Sequence, residues 1–227
     1  MSTPALIWPW FLTLMALSMA IVSGTYLLGA VSDVQLWLDF WSFRPDEIIA
    51  AMGKPLTQQS VAALGGLLTA LLLHADWFHL IGNLAYFWAF GVSVEKAVGH
   101  WRFALLFLVL GGLANGYAAW QLHGLQNLSV VGASGGVSAI IGVYLGLFPR
   151  RRMGLWLPLG LYLQFARVPA LLVIGSWFTL QLLYSVFGPN SHDVAWSAHL
   201  AGFALGVIAA FMLRAVPGRI NLAYRDE

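Results

Sequence analysis

The chain has 227 residues, 60% of them hydrophobic and only 9% charged, with a formal net charge of +2. Soluble domains carry about 25% charged residues, so this composition excludes a soluble globular protein, and the small net charge offers no ground for a nucleic-acid partner. Cysteine is absent, which removes disulfides, thiolate catalysis and cysteine-based metal sites together.

A membrane-crossing helix needs roughly 20 apolar residues. The first apolar run, 6–30, has no Lys or Arg ahead of it. It exceeds the ~7–15 residues of a signal-peptide core, so it reads as a retained first span. A polar connection, 32–60, carries Asp33, Asp39, Arg44, Asp46, Glu47 and Lys54. The apolar stretch 61–73 is only 13 residues long and suits a membrane-dipping segment better than a crossing. It ends at the polar group His74-Ala75-Asp76.

The second span, 77–94, closes at Glu95-Lys96, and the third, 101–120, carries Gly111, Gly112 and Gly116 at spacings that favour close helix contact. A short loop, 121–130, leads into the fourth span, 132–148, which Pro149 and the triplet Arg150-Arg151-Arg152 end abruptly. The mixed aromatic segment 153–167, broken by Pro158, fits the membrane interface, where Trp and Tyr concentrate. The fifth span is 168–187, the loop 188–193 holds His192 and Asp193, and the sixth span is 195–213.

Six spans place both termini on one side. Nine basic residues (Lys96, Arg102, Arg150, Arg151, Arg152, Arg167, Arg214, Arg219 and Arg225) then share that side, and two, Arg44 and Lys54, lie opposite. Basic residues accumulate on the cytoplasmic side, so the termini are expected there. The chain shows no repeat or linker and reads as a single domain, 1–227.

Polar groups inside spans are costly, and their default reading is functional. Ser134, in Gly132-Ala133-Ser134-Gly135, opens the fourth span, His199 lies near the start of the sixth and His79 near the start of the second. All three spans enter from the non-cytoplasmic side, so the three groups share one depth. A serine and a histidine on separate helices are the minimal parts of a nucleophile and its base. Taken alone, Ser134 is equally well a helix cap, and His199 a residue that bonds between helices. His74 reads as an interfacial residue or loop anchor, Asn115 as a partner to a neighbouring helix and Glu95 as a local pair or cap. His192 and Asp193 read as solvated loop residues, and Phe87, Trp88, Trp177 and Phe178 as packing or lipid-facing residues.

Three motifs, His74-Ala75-Asp76-Trp77-Phe78-His79-Leu80-Ile81-Gly82-Asn83, Gly132-Ala133-Ser134-Gly135 and Ala198-His199-Leu200-Ala201-Gly202 with Gly206, occur in order on the expected helices. In these the chain resembles the rhomboid family of intramembrane serine proteases, over about residues 60–214. The resemblance implies an all-α, six-helix membrane bundle with a dipping loop between the first two spans. It implies Ser134 as nucleophile, His199 as general base, and His79 and Asn83 as oxyanion stabilisers together with the Ser134 amide. It further implies a Ser–His dyad without a buried acid, no cofactor or metal, and single-span membrane proteins as substrates within the lipid bilayer. A bacterial inner membrane is the expected location, and a silent family member that binds clients without cutting them is the alternative.

The physics of the residues points the same way. A helix start offers unpaired N–H groups and a positive dipole end to a developing oxyanion. His79 and Asn83, four apart, share one helix face. Gly202 and Gly206 provide a small-residue stripe through which the sixth helix can approach the fourth. Two positions depart from the family pattern. A Trp-Arg pair often found in the dipping segment is missing around 63–67, and Ser138 stands where an aromatic often packs on the base. No His-Glu-x-x-His string, no aspartate pair within the spans and no paired broken helices are present, which sets aside zinc proteases, aspartyl proteases and transporters.

Overall fold

The computed structural model describes residues 8–125, 128–159, 162–187 and 196–215. In chain order these form α1 (Trp10–Leu27), α2 (Val34–Trp41), α3 (Pro45–Met52), α4 (Gln58–Thr69), α5 (Trp77–Val98), α6 (His100–Leu122), α7 (Ser134–Leu147), β1 (Arg152–Leu159), β2 (Tyr162–Pro169), α8 (Ala170–Phe187) and α9 (Trp196–Ala215). Among the described residues, α1, α6 and α9 are long and apolar enough to cross a membrane by length and composition, and α7 and the 170–183 part of α8 are shorter apolar helices. Their outward faces are greasy: Leu14 and Leu17 on α1, Leu105 on α6 and Phe211 on α9 are all exposed. Such a surface suits a bilayer rather than water.

The bundle is built around α7, which is buried along almost its whole length. Helices α5, α6 and α9 surround it, and α1 packs on α5 and α6. The core joins Phe87 and Phe90 of α5, Phe103 and Phe107 of α6 and Val137, Ile140 and Tyr144 of α7. Phe90 meets Tyr144 edge-on at 4.9 Å, an arrangement that aromatic quadrupoles favour.

The polar connection is not a plain loop. Asp33 caps α2 by accepting from the Leu36 amide, and Pro45 opens α3 with Asp46 and Glu47 in its first turn, as the helix dipole favours. The segment expected to dip into the membrane is a 12-residue helix, α4, started by a capping box between Thr57 and Ser60. Asn115 of α6 donates to the Leu67 carbonyl of α4 at 2.8 Å, the bond to a neighbouring helix expected for it.

Two departures from the sequence reading stand out. The mixed segment after the arginine triplet is an antiparallel hairpin, with Arg152 opposite Pro169 and Leu159 opposite Tyr162, so the protein is mostly helical rather than all-α. Helix α5 runs four residues beyond the expected end of the second span, to Val98, and takes Glu95 inside the protein. The Glu95 carboxylate accepts from the Phe11 and Leu12 amides in the first turn of α1, at 2.9 and 2.8 Å, and pairs with His100 at 2.5 Å. A carboxylate beside a helix N-terminus satisfies free N–H groups and the dipole at once. Glu95 therefore caps α1 from another helix, a longer-range version of the local capping expected of it.

Candidate active site

The approach of α9 to α7 follows from glycines on both helices. A Cβ on Gly202 would fall 2.1 Å from the Gly135 carbonyl oxygen, and one on Gly206 2.0 Å from that of Ala139. In return, a Cβ on Gly142 would fall 2.2 Å from the Phe203 carbonyl oxygen of α9. Backbone meets backbone along this seam, and only glycine fits. The expected stripe thus extends to glycines on both partners.

At one end of the seam, His199 Nε2 lies 2.7 Å from Ser134 Oγ. Both residues are buried, at 2% and 7% exposure, so the contact is shielded from competing solvent. Ser134 is the first residue of α7 and its N-cap is Ala133, with no side-chain cap bond. Its hydroxyl is therefore not spent on capping. The first i→i−4 bond of α7 runs from the Val137 amide to the Ala133 carbonyl, and the amides ahead of Val137 have no intrahelical carbonyl to reach.

The chain just before Ser134 is pinned from three sides. Phe43 and Val130 exchange two backbone bonds, at 3.1 and 2.9 Å, and the Gly132 amide donates to the Ala70 carbonyl at 2.8 Å. The Ala133 amide donates to His74 Nε2 at 3.3 Å. His74 Nδ1 then donates to Ser23 Oγ of α1 at 3.0 Å, and that hydroxyl donates to the Leu72 carbonyl at 3.0 Å. Every polar atom of the fully buried imidazole is matched by this one tautomer. The loop-anchor reading of His74 describes this arrangement, with the loop being the one that carries Ser134.

His79 and Asn83 project from the first turns of α5, which Asp76 caps by accepting from the His79 amide at 2.9 Å. The His79 ring rests on Gly132, where a Cβ would sit 2.7 Å from Cε1 and 2.9 Å from Nε2. Gly132 has φ +125°, a backbone setting that suits glycine and no other residue, so both shape and conformation require it. Asn83 is fully buried. Its amide nitrogen donates to the His79 carbonyl at 2.9 Å, which uses one of its two N–H groups. Its oxygen has no hydrogen-bond partner among the described residues. His192 and Asp193 lie outside the described residues.

One feature was not expected. Trp177 of α8 is buried at 1% exposure, and its indole N–H donates to Ser138 Oγ at 3.1 Å. The ring centroid lies 6.5 Å from that of His199. An indole N–H within an apolar span must find an acceptor, and that requirement was the available clue.

A mostly helical bundle with an apolar exterior defines an integral membrane protein. The rhomboid domain model matches residues 62–216, and the chain belongs to the rhomboid family. Members of this family are generally intramembrane serine proteases that act on membrane proteins within the bilayer, and inactive members also exist.

Proposed function

We propose that this protein is an active rhomboid protease, a serine endopeptidase that cuts single-span membrane proteins in or next to their membrane helix. The observation that carries the reading is the 2.7 Å contact between His199 Nε2 and Ser134 Oγ across the α7–α9 seam. Ser134 Oγ attacks the peptide carbonyl, and its proton passes to His199 Nε2. The C–N bond breaks as His199 returns the proton to the leaving amine, and water hydrolyses the acyl-enzyme by the same proton route. His79, the second N–H of Asn83 and the Ser134 amide stabilise the tetrahedral oxygen. One well-placed donor of this kind contributes about 2.7–4 kcal/mol to the rate. The chemistry needs no metal or cofactor.

The topology that serves this chemistry has α1, α5, α6, α7, α8 and α9 crossing the bilayer, with both termini cytoplasmic in a bacterial inner membrane. The distribution of Lys and Arg supports that orientation. The whole chain then works as one domain, with the catalytic core at about 60–214.

The test is cleavage of a single-span reporter in proteoliposomes, read alongside labelling by a serine-directed fluorophosphonate. Ser134→Ala and His199→Ala are each expected to abolish both signals while leaving the melting temperature within a few degrees of the parent. Absence of labelling in the unmodified protein, or cleavage that survives Ser134→Ala, overturns the reading in favour of a client-binding homologue.

A further inference from the structure

In serine proteases with a triad, an acid bonded to Nδ1 fixes the imidazole of the base. Here His199 Nδ1 is buried without a hydrogen-bond partner among the described residues. A ring with one polar contact can still rotate about that contact, so its orientation must come from packing. Two indoles supply it. Trp196, one turn earlier on the same helix, stands edge-on to His199 at 5.6 Å. Trp177 approaches from α8, tilted at 54°.

These two walls are not equivalent. Trp196 moves with His199, because both belong to α9. Trp177 belongs to a helix that joins the bundle through a single face. Ala170, Ile174, Trp177 and Gln181 are buried, while Leu171, Leu172, Leu180 and Leu183 are exposed. What fixes Trp177 is its bond to Ser138, one turn after Ser134 on α7. The Tyr86 ring of α5 also packs on it, with ring centroids 4.7 Å apart. The indole is therefore referenced to the same helix that carries the nucleophile.

We infer that Trp177, anchored through Ser138, is a positioning residue that holds the His199 imidazole in line with Ser134, so that the base is set only while α8 is docked. The inference rests on the Ser134–His199 reading. It gives α8 a part in the chemical step: movement of this helix away from α7 removes one wall of the base and pauses catalysis until the helix returns.

The test compares Trp177→Leu, which fills much of the space without a ring, with Trp177→Phe, which keeps one, using steady-state cleavage of the reporter in proteoliposomes. Trp177→Leu is expected to lower kcat at least tenfold with KM changed less than twofold, and to slow fluorophosphonate labelling in proportion. Trp177→Phe should stay within about fivefold of the parent. Adding Ser138→Phe to Trp177→Leu returns a ring from the other helix and should recover part of kcat. An unchanged or raised kcat in Trp177→Leu overturns the inference and makes the indole a mere barrier to substrate. Should Trp177→Leu fail to fold, Ser138→Ala decides: it keeps the indole and removes its anchor. It should lower kcat severalfold where Ser138→Thr does not, and parent-like kcat in Ser138→Ala overturns the inference. Cleavage persisting in Ser134→Ala would instead remove the underlying reading, a result separable from all of these.

Discussion

Helices α8 and α9 both pack on α7, in opposite ways. On α9 the contact is backbone against backbone, with Gly202 and Gly206 seated on the Gly135 and Ala139 carbonyls. On α8 the contacts are between side chains: Trp177 on Ser138 and, towards its neighbours, Tyr86 on Ser176 at 2.6 Å and Phe178 edge-on to Phe203 at 5.2 Å. Backbone cannot repack, whereas side chains can exchange partners. The difference separates a backbone seam, which brings the Ser134 and His199 helices together, from a side-chain contact that walls the His199 ring.

The largest effect is expected from breaking the backbone seam. Gly206→Val would force a branched side chain against the Ala139 backbone, and overpacking of this kind costs about 1–3 kcal/mol or more. Reporter cleavage should fall below detection and the melting temperature should drop by several degrees. Parent-like cleavage would mean that the seam tolerates separation. Next comes Asn83→Ala, which removes a donor but leaves both helix contacts untouched. A loss of about 10²-fold in kcat is expected, read in the same assay with KM little altered, and a loss below threefold would remove Asn83 from the oxyanion site. The smallest effect belongs to the side-chain interface of the comparison. Phe178→Ala removes a contact of α8 with α9 while leaving the Trp177–Ser138 bond in place, and is expected to change kcat/KM by less than tenfold with no measurable shift in melting temperature. A collapse as deep as that of Gly206→Val would show that the two interfaces are equally rigid.

Much of the candidate site was legible in the sequence because membrane burial makes polar residues conspicuous. Ser134, His199, His79 and Asn83 stand out from apolar surroundings, and Gly202 and Gly206 announce a close approach. The hairpin was not legible. Leu155, Leu157 and Leu159 alternate with glycine, tryptophan and proline rather than with polar residues, so no period-two signal arises. The end of α5 was missed because Glu95 looks like a boundary residue, and nothing local reveals that distant amides at Phe11 and Leu12 make its burial acceptable. Ser138 was visible as a departure from the family pattern, but its role as an acceptor for Trp177 depends on a contact 39 positions away. Pattern reading reports what a residue needs, and tertiary structure decides who supplies it.

Helix α1 lies wholly outside the matched segment 62–216, yet it is stitched to that segment at both ends. Near one end its amides quench the Glu95 charge, and near the other Ser23 completes the chain of bonds through His74 to Ala133. A fragment trimmed to the region of family similarity would leave Glu95 with His100 but without its two amide donors, and His74 Nδ1 without its Ser23 acceptor. Where homology begins is not where self-sufficiency begins, and the minimal autonomous unit of this fold has to include its first helix.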